Sequence, residues 1–166
     1  MTPARMLGVL TALAVFTLDQ ASKFVVVHGF GGEEPAPMFL TPFLDFSLHW
    51  NSGISFSLFR QDTALGVWLL LTFTLAATAL LGVWLWRARS WVVGVGLGAI
   101  IGGALGNACD RLAYGAVVDF LDLHAFGRHF FVFNLADAAI NVGVALLILD
   151  GLFGRSADKP SQSLTP

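Results

Sequence analysis

Residues 102–141 read GGALGNACDRLAYGAVVDFLDLHAFGRHFFVFNLADAAIN, and the rest of the chain is understood from this stretch. Glycine-rich apolar sequence runs into Asn107, Asp110 and Arg111, then Asp119, then Asn134 and Asp137. Ionisable groups at the edge of a lipid-embedded segment are costly, so their presence argues for a function. Residues 111–133 carry too many charges and turn formers to cross a bilayer. They read as a connection joining two embedded helices at one membrane face, which brings the flanking polar residues to one depth.

Working outward, the composition supports that setting. Of 166 residues, 56% are hydrophobic and only 12% charged, more apolar sequence than a soluble domain needs for its core, so the chain is an integral membrane protein. A net charge of -2 without a basic run excludes a nucleic-acid groove. The single cysteine, Cys109, rules out an internal disulfide and any multi-cysteine metal site.

Four spans are expected, at about 6–27, 64–86, 91–110 and 130–149, in a single unit of residues 1–154. At about 1.5 Å per residue, the first matches a hydrocarbon core of roughly 30 Å. It is read as a retained span and not a cleaved leader, since no small-x-small pattern follows and the charged residues Asp19 and Lys23 interrupt it. Asp19 and Lys23 are four apart, share a helix face and can neutralise each other; a plain interfacial ion pair is the alternative. The second span has no charge, and Trp68, Trp84 and Trp86 sit towards its ends as interfacial anchors. The third places Gly98, Gly102 and Gly106 at four-residue intervals, a small-residue packing face. In the fourth, Asn134, Asp137 and Asn141 fall on one helical face that must look away from lipid.

Residues 29–62 form the longest polar connection. Leu44, Phe46, Leu48 and Trp50 alternate with polar residues, and alternation resumes at Ile54, Phe56 and Leu58, so a hairpin about Asn51-Ser52-Gly53 is expected, lying as a small sheet at the membrane surface. Residues 155–166 read as a disordered cytoplasmic tail. Arg5, Arg87, Arg89, Arg155 and Lys159 mark the side of both termini as cytoplasmic, which turns the carboxylates outward.

The outward cluster comprises Asp19, Asp110, Asp119 and Asp137, with Lys23, Arg111, Asn107 and Asn134 as candidate partners; Asp110 is expected to orient Arg111. A proton or ion carrier would spread polar groups through the membrane depth, whereas the inner halves of these spans are nearly free of them. Two carboxylates held close cannot both ionise easily, so one keeps a proton while the other acts as a base, a division suited to amide hydrolysis by activated water. Ion-paired helix ends are the structural alternative, a small membrane transporter the functional one, and a non-catalytic scaffold a third. His28, His49, His124 and His129 lie outside the spans without the i, i+4 spacing of a helical zinc site, so no metal is expected. Cys109 has no histidine on its helix and reads as a packing residue.

At these residues the chain resembles the lipoprotein signal peptidases, or signal peptidase II, a bacterial family of four-span aspartyl proteases. The likeness lies in Asp19-Gln20-x-x-Lys23, Asn51-x-Gly53-x-x-Phe56, Gly103-Ala104-x-Gly106-Asn107-x-x-Asp110-Arg111, Gly115-x-Val117-Val118-Asp119-Phe120 and Phe133-Asn134-x-Ala136-Asp137, in that order. Ile54-Ser55 departs from the family's small alanines after Gly53. The resemblance implies an all-α membrane protein of four helices with a small cradle-like β-sheet in the extracytoplasmic loop. It implies Asp119 and Asp137 as the catalytic pair, with Asn107, Arg111, Asn134 and Asn51 about the peptide, and Asp19, Lys23, Asp110 and Asn141 in support. It further implies a monomer in the bacterial inner membrane, using no cofactor. Among membrane lipids it would act on prolipoproteins carrying diacylglyceryl on the cysteine that becomes the new N-terminus.

Overall fold

The computed structural model describes residues 1–29, 37–53 and 64–153. They form helices α1 (Pro3–Gly29), α2 (Ala64–Arg87), α3 (Trp91–Tyr114) and α4 (Leu135–Phe153), and strands β1 (Met38–Thr41), β2 (Leu44–Asn51), β3 (Val117–Ala125) and β4 (Arg128–Phe133). All four helices are long and apolar enough to cross a membrane. The strands make one antiparallel sheet in the order β1-β2-β3-β4.

Helix α3 is the centre of the bundle. Of its apolar stretch 56% is buried, against 17% or less in each other helix, because α1, α2 and α4 all pack on it. Its glycines allow two backbones to approach at once. A methyl group at Gly94 would meet the carbonyl of Ala4, one at Gly98 that of Gly8, and one at Gly102 that of Ala12, so α1 runs parallel to α3 in a four-residue register. On another face, Gly96 meets Gly143 and Gly103 meets Ala136, so α4 runs antiparallel. Lipid offers no hydrophobic drive between helices, and such close contact supplies the van der Waals attraction that replaces it.

One end of the bundle gathers the start of α1, the α2–α3 turn and the end of α4. Arg5 lies over Trp86, 5.3 Å from the ring centroid, and the Ser90 hydroxyl, which caps α3, donates to Asp150 at 2.8 Å. The sheet covers the other end. Val26 near the end of α1 packs with Leu48, Val118 and Phe120, so this face of the β2–β3 pair is anchored on the bundle. The other face carries His49, Asn51, Val117 and Asp119 into a cavity. Away from it, His124 pairs with Asp45 at 3.2 Å and His129 with Asp122 at 2.7 Å, tying neighbouring strands.

The four-helix architecture with a small sheet agrees with the sequence reading, but the origin of the sheet does not. Strand β2 pairs with β1 and β3, and the second arm of the expected hairpin, 54–58, lies outside the described residues. Half of the sheet comes from 111–133, read above only as a connection. Here Gly115, at φ 76°, ends α3, and Phe126 and Gly127, at φ 54° and 71°, turn β3 into β4. The fourth helix starts at Leu135, not at residue 130, because Arg128–Phe133 pairs along β3 and Asn134 then caps the helix. The aromatic run Phe130, Phe131, Phe133 looks like the start of a span by hydropathy, while its hydrogen bonds make it a strand. The disordered tail expected at 155–166 lies outside the described residues.

Candidate active site

The close α1–α3 contact leaves no room for a side chain at Gly106, where a methyl group would collide with the Asp19 carboxylate. That carboxylate opens a buried polar hub. Lys23 Nζ donates to Asp19 Oδ2 at 2.8 Å, to Asp110 Oδ2 at 2.7 Å and to Asn107 Oδ1 at 2.9 Å, so all three ammonium protons have an acceptor. Gln20 Nε2 donates to Asp110 Oδ1 at 2.9 Å and to the Gly106 carbonyl at 3.2 Å. Asp19, Lys23 and Asp110 are no more than 3% exposed, so their charges are stable only because every one is paired and hydrogen-bonded.

The hub also reaches outward to two other elements. Asp19 Oδ1 accepts the Ala136 N–H at 2.9 Å, satisfying an orphan donor of the first turn of α4. Asp110 Oδ2 accepts the Val118 N–H at 3.2 Å, which fixes β3 one residue before Asp119. Asp110 makes no bond to Arg111 among the described residues, contrary to the sequence reading. It holds the strand, and Arg111 turns into the cavity with Nη1 on the Asn107 carbonyl at 3.3 Å.

In front of the hub stand Asp119 and Asp137. Asp137 is the third residue of α4 and forms a reciprocal cap with Asn134: its N–H donates to Asn134 Oδ1 at 3.0 Å, and its Oδ2 accepts the Asn134 N–H at 3.3 Å. The positive end of α4 therefore faces this carboxylate. Its Oδ1 accepts Asn107 Nδ2 at 2.8 Å. Asp119 accepts Asn134 Nδ2 at 2.7 Å on Oδ1 and Asn51 Nδ2 at 2.9 Å on Oδ2. Asn134 Nδ2 donates as well to Asn107 Oδ1 at 3.1 Å, so the amides of Asn107 and Asn134 link the two carboxylates. Because Lys23 occupies Asn107 Oδ1, the Asn107 amide must present Nδ2 to Asp137.

Among the described residues neither carboxylate is bonded to a cation, and both line a cavity of about 970 Å³. Its walls are Asn51, Asn107, Arg111 and Asn141 together with apolar Val117, Leu123, Phe130, Phe131, Phe133 and Ile140. Burial pushes the Asp119 carboxyl up to about 6, and the charge of Asp137 adds to the rise, while the Asn51 and Asn134 donors pull the other way. The arrangement offers a carboxyl whose proton affinity is raised by burial, a second carboxylate linked to it through two amides, and apolar walls in the same cavity.

Of the residues singled out in the sequence, Asn51, Asn107, Arg111, Asp119, Asp137 and Asn141 line the cavity, and Asn134 bridges the pair. Asp19, Lys23 and Asp110 lie behind its wall. Asn141 is exposed on α4 and makes no hydrogen bond to the described residues. Gln20 stands inside the Asp19-Gln20-x-x-Lys23 motif, yet its bond to Asp110 has no sequence signal, and His49, outside the spans and without metal spacing, has none for its place on the cavity wall.

A family profile described as "Signal peptidase (SPase) II" matches residues 11–153. The chain belongs to the signal peptidase II family. Proteins named lipoprotein signal peptidase are similar along most of their length: that of Beijerinckia indica is 51% identical over 95% of this chain and 94% of its own, and that of Methylobacterium radiotolerans is 51% identical over 92% and 88%. Two solved structures, each described as a bacterial membrane enzyme, share the fold. One has a TM-score of 0.77 at 25% identity, covering 95% of this chain and 94% of its own; the other has 0.74 at 27%, covering 88% and 92%. Membership makes the chain a peptidase of the aspartic type with four membrane-crossing helices.

Proposed function

We propose that Asp119 and Asp137 are the catalytic pair of a monomeric endopeptidase that removes the signal peptide from diacylglyceryl-modified prolipoproteins, cleaving just before the lipid-bearing cysteine. The observation that carries this is the contrast inside one polar cluster: among the described residues Asp19 and Asp110 are bonded to Lys23, whereas Asp119 and Asp137 face the cavity with amide donors only. Family membership and the relatives' names supply the substrate class.

In the proposed step, the ionised carboxylate takes a proton from water as the water oxygen attacks the scissile carbonyl. The protonated partner hydrogen-bonds the developing oxyanion and then helps protonate the leaving amine as the C–N bond breaks. Asp119 is the member assigned the proton in the reacting complex, since burial already holds its carboxyl up to about 6 and a bound peptide would extend the same desolvation. Arg111, Asn107, Asn134 and Asn51 orient the pair and the peptide, with Asn141 at the margin, and Asp19, Lys23 and Asp110 support them from behind. The apolar trough of Phe130, Phe131 and Ile140 suits the hydrophobic part of the signal peptide.

Both termini are assigned to the cytoplasm of a bacterial cell and the cavity to the outer face of the inner membrane. This follows from Arg5, Arg87 and Arg89, which lie at the end of the bundle opposite the sheet. Purified protein incubated with a lipidated precursor should release a product whose N-terminus is the lipid-modified cysteine, and an unlipidated precursor should be cut poorly because each buried CH₂ is worth about 0.8 kcal/mol. A product beginning elsewhere, or equal cleavage of both precursors, would refute the assignment.

A further inference from the structure

We infer that His49 is a positioning residue for the reaction, an electrostatic partner that sets how readily Asp119 gives up its proton. The inference rests on the proposed role of Asp119 and goes beyond it. His49 and Asp119 are direct partners across β2 and β3, so their side chains leave the sheet on the same face. Directly opposed residues of an antiparallel pair have Cβ atoms about 5 Å apart. Both side chains line the cavity. His49 is exposed and has no hydrogen-bond or ion-pair partner among the described residues, unlike His124 and His129, which are held by Asp45 and Asp122.

Among the described residues, the titratable or charged groups sharing the cavity with His49 are Asp119 on β3, Arg111 on α3 and Asp137 on α4. Arg111 keeps its charge, so position 49 is where a substitution can fix the charge beside Asp119 as neutral or positive. A positive charge there favours the ionised carboxylate and opposes the protonated form that the reaction uses. In water two unit charges about 5–8 Å apart interact by about 0.5–0.8 kcal/mol, which corresponds to roughly half a pH unit in the titration of Asp119, and more where the peptide excludes water.

The test compares the pH dependence of kcat/KM on a lipidated precursor for the wild type, His49→Gln and His49→Lys, with Asp119→Asn assayed in parallel. The midpoint of the limb on which activity is lost with rising pH should be highest for His49→Gln and lowest for His49→Lys, with a spread of about half a pH unit or more. Three superimposable limbs, a reversed order, or a uniform loss at every pH would overturn the inference, even with Asp119→Asn inactive. An active Asp119→Asn would overturn the proposed function itself. Thermal midpoints of all three proteins should coincide, since His49 is exposed.

Discussion

Two groups of aspartates stand side by side at one end of the bundle, and they differ in what completes them. Asp19 and Asp110 are bonded to Lys23, sealed from solvent, and joined to Gln20 and to backbone N–H groups of α4 and β3. Among the described residues Asp119 and Asp137 are bonded only to amides, and they open onto a cavity. The residue type is the same in both. Only the presence of a bonded cation separates a joint from a reactive group. A carboxylate paired with a buried ammonium gains nothing by taking a proton, whereas one desolvated without a counter-ion is poised to exchange it.

The largest effect should come from the open pair. Asp119→Asn or Asp137→Asn keeps the shape but neither accepts nor releases the proton, so turnover should fall by about 10²–10⁴-fold in a cleavage assay, with the thermal midpoint near that of the wild type. A comparable fall in stability would erase the distinction between the two groups. Next, Lys23→Met leaves two buried carboxylates without their cation and should lower unfolding free energy by about 3–5 kcal/mol, read as a large drop in melting temperature in detergent. A stable Lys23→Met protein would mean that the hub is not a joint.

Asn134→Ala touches both members of the open pair at once. It removes the cap of α4 and the donor to Asp119, and should cost about 1–3 kcal/mol in stability while lowering turnover further than that loss of folded protein explains. The smallest effect concerns pH. A group whose carboxyl is raised to about 6 holds its proton below that value and loses it above, so kcat/KM of the free enzyme should decline as pH rises through about 6. Asn51→Ala removes a donor that favours the ionised form, and should move that decline upward by a fraction of a pH unit. An unmoved decline with the low-pH limb shifted upward instead would give Asp119 the role of base.

The spans and both aspartate groups are legible in the sequence because hydropathy and helical spacing are local properties. Gly98, Gly102 and Gly106 announce the α1–α3 contact, and Asp19 with Lys23 announces an ion pair. The third partner of Lys23 and the task of Asp110 are tertiary. Nothing within α3 says that Asp110 will reach a strand amide at Val118 and leave Arg111 to the cavity. Strands β3 and β4 were obscured because the β4 register slips between Leu123 and His124, which breaks the period-2 pattern around Phe130. His49 carried no signal, since its importance comes from the strand opposite.

The central claim is the division of labour between the two groups, and the most direct measurement takes thermal midpoint and cleavage rate on the same preparations of Asp119→Asn and Asp110→Leu. Asp119→Asn should be inactive and as stable as the wild type, while Asp110→Leu, which strips Lys23 and the Val118 N–H of an acceptor, should melt at least several degrees lower. Cleavage retained by Asp119→Asn, or an unchanged melting temperature for Asp110→Leu, would contradict the account.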